Sequence, residues 1–357
     1  MDKVRRWIKP AVQAMRAYDV PAAGGMIKLD AMENPYAWPA EFRRPWLAEL
    51  ERIDVNRYPD PHGVALKERL REVAGIPPGM PVMLGNGSDE LIQIILMAIA
   101  GPGRCCLAPE PTFIMYRLSA SVLDLGFQGV PLAGEGFNLD RNAMVRAIEE
   151  HQPAIIFIAN PNNPTGNLFA GEIIDEIIRV APGAVVLDEA YHAFSGETYL
   201  PRLVEFDNLL VLRTFSKSGL AGLRLGYLVG PGDWLGEFEK VRLPYNINTL
   251  TQKTAEFILS RQSLLDEQAR WICRDRDTLY ARLSRLDGIR AWPSRANFIL
   301  FKPLAKSADG IYAGLKQQGI LIKNMHGSHH ALENCLRVTV GREDENTAFL
   351  EALARLL

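Results

Sequence analysis

Residues 154–191 read AIIFIANPNNPTGNLFAGEIIDEIIRVAPGAVVLDEAY. The continuously apolar run at 154–159 predicts a strand covered on both faces, as strands of parallel sheets are. A turn rich in Pro, Asn and Gly follows. Residues 171–180 then repeat their isoleucines at helical spacing, and a second apolar run occupies 184–187. Strand, crossover helix and strand form the unit from which parallel sheets are built. The same alternation extends outward, with apolar runs at 81–84, 105–108, 208–212 and 226–229 and helical patterns at 89–100 and 140–150. The expected fold class is α/β, a large layer on a mostly parallel sheet.

Beyond residue 250 the pattern changes. Residues 251–286 read as one long, charged, amphipathic helix. A strand at 297–301, a helix at 308–318, strands at 320–323 and 335–340 and a helix at 343–356 complete a smaller α+β unit. The expected organisation is an N-terminal arm (1–40), a large domain (41–250) and a small C-terminal domain (251–357).

The 357 residues carry 40 Lys plus Arg against 42 Asp plus Glu, which argues against nucleic acid and polybasic membrane binding. The longest apolar run, 91–100, is about half a membrane span. The basic start MDKVRRWIKP meets Pro10 before any apolar core of a secretory signal, and reads as an arm that docks on a partner surface. Four cysteines without a CxxC pair suit a reducing, cytoplasmic setting. Cys105 and Cys106 read as small core residues of a strand. His326, His329 and His330 lie in MHGSHH with Gly327 and Ser328, a loop without acidic or Cys ligands, so no metal is expected.

Several segments that follow strand ends bear chemistry. The run Leu84-Gly85-Asn86-Gly87-Ser88-Asp89-Glu90 lets backbone N–H groups and a helix start approach an anion. It also fits a plain capped turn. Gly85, Gly87 and Glu90 form an incomplete GxGxxG, with Glu110 at the acidic position of a dinucleotide site. An NAD-dependent dehydrogenase is the alternative this leaves. The segment 160–166 is a turn on any reading and fits a plain turn, but an Asn held there, at the carboxyl end of the 154–159 strand, sits where open α/β sheets place ligands. Asp188 follows the next strand, either as a helix cap or as a buried carboxylate able to hold a ring nitrogen protonated, and Tyr191 lies three residues on. Lys217, between Ser216 and Ser218, belongs to no GK[ST] loop. Anion cradle, Asn, buried Asp and Lys in one sheet can together hold a phosphorylated aromatic cofactor and present an amine to it.

Taken in order, LDAMENPYAWP (29–39), NRYPDP (56–61), GNGSDELI (85–92), PTFIMY (111–116), NPNNPTG (160–166), LDEAYHAF (187–194), TFSKSGLAGLRLGY (214–227) and CLRVTVG (335–341) resemble the fold-type I pyridoxal-phosphate aminotransferases. NRYPDP with CLRVTVG narrows the resemblance to the histidinol-phosphate aminotransferases. It implies a cytoplasmic homodimer with shared active sites. The implied reaction is L-histidinol phosphate plus 2-oxoglutarate giving imidazole acetol phosphate plus L-glutamate. The resemblance makes Lys217 the amine that holds the cofactor and moves the substrate α-proton. It puts Asp188 on the pyridine nitrogen, Asn163 and Tyr191 on the ring 3-oxygen and Phe113 on the ring face. Phosphate anchors would be Ser88, Asp89, Ser216, Arg224 and Tyr58 of the neighbouring subunit. Arg337 would clamp the α-carboxylate of glutamate. Tyr18 and Lys323 match positions that meet the substrate phosphate, and Asn297 one near the substrate. Many relatives have Arg where Lys323 stands, which leaves open a sibling transaminase for aromatic amino acids. A phosphothreonine decarboxylase would share the scaffold. A non-catalytic regulator would need a DNA-binding module, for which the short arm is expected to leave no room.

Overall fold

A computed structural model describes residues 2–17 and 21–357, so Tyr18 lies outside the described residues. Among these residues two sheets organise the chain. The strands, in chain order, are β1 (Ile27–Leu29), β2 (Val82–Gly85), β3 (Cys105–Glu110), β4 (Gly126–Pro131), β5 (Ile155–Ala159), β6 (Ala184–Asp188), β7 (Leu209–Thr214), β8 (Gly226–Val229), β9 (Ile289–Ala291), β10 (Phe298–Pro303), β11 (Ile320–Asn324) and β12 (Leu336–Thr339).

The seven-stranded sheet has the order β2-β8-β7-β6-β5-β3-β4. All its pairings are parallel except those of β8, which runs antiparallel to both β7 and β2. Side chains alternate between two helical layers. Ile156, Ile158, Val185 and Leu187 enter one core, while Phe157, Val186, Leu210 and Leu212 enter the other. With no face left to water, period-two polarity disappears, and that is why these strands read as unbroken apolar runs. The crossover helix Gly171–Val180 buries Ile174, Ile177 and Ile178, one stripe at helical spacing. Strand β4 escapes the sequence reading because it is an edge strand with two glycines and one fully buried residue, Val130.

The five-stranded sheet has the order β1-β11-β12-β10-β9. Phe298, Ile299, Phe301, Leu336 and Val338 pack there against Ile272, Leu279, Phe349 and Leu353. Strand β1, from the segment read as an arm, is an edge strand of this sheet, parallel to β11. Three residues are too few to show a period.

The single helix expected over 251–286 is two, Thr249–Leu259 and Gln262–Leu283. Asn248 caps the first by accepting from the Thr251 N–H at 2.8 Å. At the break, Ser260 Oγ and Arg261 Nη1 both donate to the Phe257 carbonyl, satisfying an acceptor that the helix leaves open. The break contains neither Gly nor Pro. The first helix packs on Ala40–Leu50 and Val64–Ala74, the second on β9, β10 and Glu343–Leu356.

Because β3, β5, β6 and β7 run parallel, their carboxyl ends share one edge. The loops leaving that edge carry Phe113, Asn163, Tyr191 and Lys217, and Asp188 ends β6 itself.

Candidate active site

After β2 the chain turns through Gly87, at φ 85°, into the helix Ser88–Ile99. A Cβ on Gly87 would stand 2.7 Å from Arg224 Nη2, so only glycine lets the guanidinium reach this turn. No side chain caps the helix, which leaves its first N–H groups available to an anion. Arg224 donates to Ser216 Oγ at 3.1 Å and lies 3.5 Å from Asp89 Oδ2. Helix start, hydroxyl and guanidinium converge on one spot that suits phosphate.

Asp188 is buried at the end of β6. Its Oδ2 accepts from Tyr116 Oη at 2.6 Å and its Oδ1 from the Ala190 N–H at 3.0 Å. Burial pushes the carboxyl up to about 6, while those two donors pull it down. Among the described residues no Lys or Arg forms an ion pair with it.

Lys217 lies in the wide turn Ser216–Leu220, which Gly219 closes at φ 117°. Its Nζ donates to the Ala31 carbonyl at 3.1 Å. Burial, and then the positive charge of Arg337, lower its ammonium to about 8, so near that pH half of the amine is free to act as a nucleophile. Arg337 is buried on β12, where Nη1 donates to Asn163 Oδ1 at 2.5 Å and Nη2 to the Asp30 carbonyl at 3.1 Å. Tyr191 packs edge-on against Phe298, and burial raises its phenol above the usual range.

Ser88, Asp89, Phe113, Asn163, Asp188, Tyr191, Ser216, Lys217 and Arg224 all line one cleft of about 520 Å³, open solvent at its mouth included. That is room for a small phosphorylated ring. Arg337 borders it through Asn163. Asn297 is fully buried and donates to the Met32 carbonyl at 2.9 Å, while its Oδ1 has no partner among the described residues. Lys323 pairs in register with Arg337 on β11 but does not line the cleft. Tyr58 is 80% exposed and stacks on Tyr245 at 4.4 Å, away from the cleft of its own chain. Tyr116 and Met32 are site residues that sequence reasoning missed. Tyr116 lies in the run PTFIMY (111–116), but only the fold brings its oxygen to Asp188. Met32, at φ 55°, gave no signal.

On the opposite face of the sheet, Glu189 pairs with Arg213, both buried, at 2.8 Å, with Thr198 and the Tyr199 N–H completing the carboxylate's partners. Arg213→Ala is expected to cost about 3–5 kcal/mol by leaving Glu189 charged and unpaired. Urea denaturation would measure this, and a loss below about 1 kcal/mol would contradict it.

Histidinol-phosphate aminotransferase 2 of Nitrosococcus oceani is 55% identical to this chain over 352 residues, 99% of the chain and 98% of the relative. Histidinol-phosphate aminotransferase 1 of Ralstonia nicotianae is 48% identical, covering 100% of the chain and 96% of the relative. The family described as aminotransferase class I and II matches residues 25–353. The chain belongs to the class I and II aminotransferases, in their histidinol-phosphate branch. The crystal structure of histidinol-phosphate aminotransferase from Sinorhizobium meliloti in complex with pyridoxal-5'-phosphate superposes with a TM-score of 0.86, at 22% identity, over 98% of this chain and 97% of that one. It shares the aminotransferase fold.

Aminotransferases of this family depend on pyridoxal phosphate, and the cleft fits that group. An uncapped helix start beside Arg224 matches a phosphate, a buried carboxylate without a cation matches a ring nitrogen, and a buried amine stands between them. The dehydrogenase alternative falls with the family assignment. Glu90, where a third glycine would be, accepts from the Asn86 N–H and the Asn246 amide and so closes the turn. Glu110 is engaged by Arg117 instead of facing a ribose site.

Proposed function

We propose that this aminotransferase converts L-histidinol phosphate and 2-oxoglutarate to imidazole acetol phosphate and L-glutamate. The observation that carries the reading is full-length identity of 55% to a histidinol-phosphate aminotransferase. Bound pyridoxal phosphate supplies a conjugated electron sink for the carbanion at the substrate α-carbon. Lys217 holds the cofactor through its amine and moves the α-proton, a task suited to a lysine whose ammonium is lowered to about 8. Asp188 holds the proton on the ring nitrogen. Asn163 and Tyr191 orient the ring 3-oxygen, and Phe113 covers a ring face. The first turn at Ser88 and Asp89, with Ser216 and Arg224, anchors the phosphate.

Arg337 takes the α-carboxylate of glutamate in the fork geometry that guanidinium allows. Asn297 stands near the substrate, and Tyr18 and Lys323 receive the substrate phosphate. Tyr58, exposed in its own chain, completes the phosphate site of a second copy, so the working unit is a homodimer, which we assign to the cytoplasm. Within each copy we divide the chain into an arm (1–40), a cofactor domain (41–250) and a closing domain (251–357). No helix among the described residues is long and apolar enough to cross a membrane. Lys323 carries charge without a guanidinium fork, which favours transamination of aromatic amino acids as the second reading.

Half-reactions with single amino donors, followed by bleaching of the visible band of the bound cofactor, decide between the two. Histidinol phosphate is expected to bleach the band more than about tenfold faster than phenylalanine or tyrosine, corresponding to the discrimination that one satisfied polar group confers. The reverse order would overturn the reading.

A further inference from the structure

Tyr116 has no part in the reaction as drawn so far, yet it makes the shortest contact to Asp188. It is the second residue of the helix Met115–Val122 and is fully buried. Its ring lies parallel to Phe157, with centroids 4.6 Å apart and planes 10° apart, and meets Phe113 edge-on at 5.5 Å. Those rings hold the phenol in one orientation. In that orientation its oxygen stands 2.6 Å from Asp188 Oδ2.

The proton in this contact belongs to the phenol. Burial and the charge of Asp188 both raise the Tyr116 hydroxyl well above its ordinary range, so it donates and Asp188 accepts. With the Ala190 N–H on Oδ1, each carboxylate oxygen has one fixed donor. Each then keeps capacity to accept another hydrogen bond, and the carboxylate lines the cleft.

We propose that Tyr116 is a positioning residue that keeps Asp188 ionised and aimed at the ring nitrogen of the cofactor. This rests on the reading of Asp188 as the partner of that nitrogen. The balance it maintains is narrow. Burial works against the carboxylate, and so do the negative charges of Asp89 and Glu189, the latter offset by Arg213. Tyr191 also faces the site, neutral, and Lys217, Arg224 and Arg337 supply positive charge around the cleft. Remove the phenol hydroxyl and a donor to the charged form is lost, so Asp188 takes up a proton at higher pH. A protonated carboxyl cannot hold a protonated ring nitrogen.

Pyridoxal phosphate binding to full-length apoprotein tests this, in a Lys217→Ala background so that covalent attachment does not enter. Dissociation constants are measured from pH 6.5 to 8.5 with and without Tyr116→Phe. At pH 8.5 the two proteins are expected to agree within about twofold; at pH 6.5 Tyr116→Phe should bind roughly three- to twenty-five-fold more weakly, as a rise of one to two pH units in the Asp188 titration requires. Phe157→Leu, which disturbs the ring stack and keeps the hydroxyl, should give a ratio to its parent that does not vary with pH.

Equal affinities at every pH, a deficit in Tyr116→Phe that is constant with pH, or a pH-dependent loss in Phe157→Leu would each overturn the proposal. Failure of the parent protein to bind pyridoxal phosphate at all would instead overturn the cofactor reading on which it rests. Melting of the apoproteins shows whether each variant is folded before its affinity is compared.

Discussion

Lys217→Ala is expected to reduce transamination by about 10⁴-fold or more, because in the proposed mechanism one side chain performs two tasks that no neighbour can take over. The amine lies inside the cleft, and the other side-chain nitrogens nearby are guanidinium groups, which stay protonated, and the Asn163 amide, which is not basic. Arg337 and Arg224 can bind anions there but cannot accept a proton from carbon. Steady-state assays with histidinol phosphate and 2-oxoglutarate would give the rate, and the purified variant should lack the absorption band of covalently held cofactor. Turnover within about a hundredfold of the parent would refute the mechanism. The variant should also release the Ala31 carbonyl, whose partner is the Lys217 ammonium.

Asp188→Asn should separate activity from stability in opposite directions. An amide cannot hold the ring nitrogen protonated, so kcat is expected to fall by about 10²–10³-fold, the usual range for losing one electrostatic partner of a developing charge. The apoprotein, however, should become more stable. A carboxyl raised from 3.8 to about 6 by burial opposes folding wherever it is ionised in the unfolded chain. That penalty is absent below pH 4, grows through pH 6 and is complete above it. Replacing the carboxylate should therefore stabilise the apoprotein at pH 8 by on the order of 2–3 kcal/mol, less whatever the lost Ala190 bond contributes. Urea melts at pH 8 and pH 4 check the sign, since the gain should vanish at the lower pH. An unchanged kcat would mean that Asp188 is an ordinary buried acid, and equal stability at both pH values would mean that burial does not raise its carboxyl. The expected pattern, activity lost and stability gained, marks a residue kept for chemistry at the expense of the fold.

The parallel layer was legible because burial on both faces erases polarity from its strands. Phe157 and Ile158 point to opposite cores, and both are apolar for the same reason. The cleft was legible because parallel strands bring their carboxyl ends to one edge, where Asp188 and the loops holding Asn163 and Lys217 gather. Elements fixed by tertiary contact were not. The gap at Ser260 and Arg261 lies inside a continuous amphipathic pattern, and side chains that bond to the Phe257 carbonyl make the break without Gly or Pro. The role of β1 depends on pairing with Ile320–Asn324, far away in sequence. Tyr116 carries no sign of its role in the sequence, because its ring packs as any core aromatic does. Only its oxygen, 2.6 Å from Asp188, sets it apart, and a one-dimensional pattern does not place oxygens.

The pairing of β1 with β11 also sets an order of events. Ile27 lies opposite Ile320, so β1 waits during synthesis for a partner about 290 residues later. At ordinary rates of translation that wait is roughly 15 to 60 s. Residues 30–34, which follow β1, supply the carbonyls that Arg337, Lys217 and Asn297 hold. The wall of the cleft nearest Lys217 thus joins residues about 300 positions apart, Asp30 and Arg337. The central sheet can form early, as its strands arrive in turn, whereas the cleft is completed only after β12, residues 336–339, has been made.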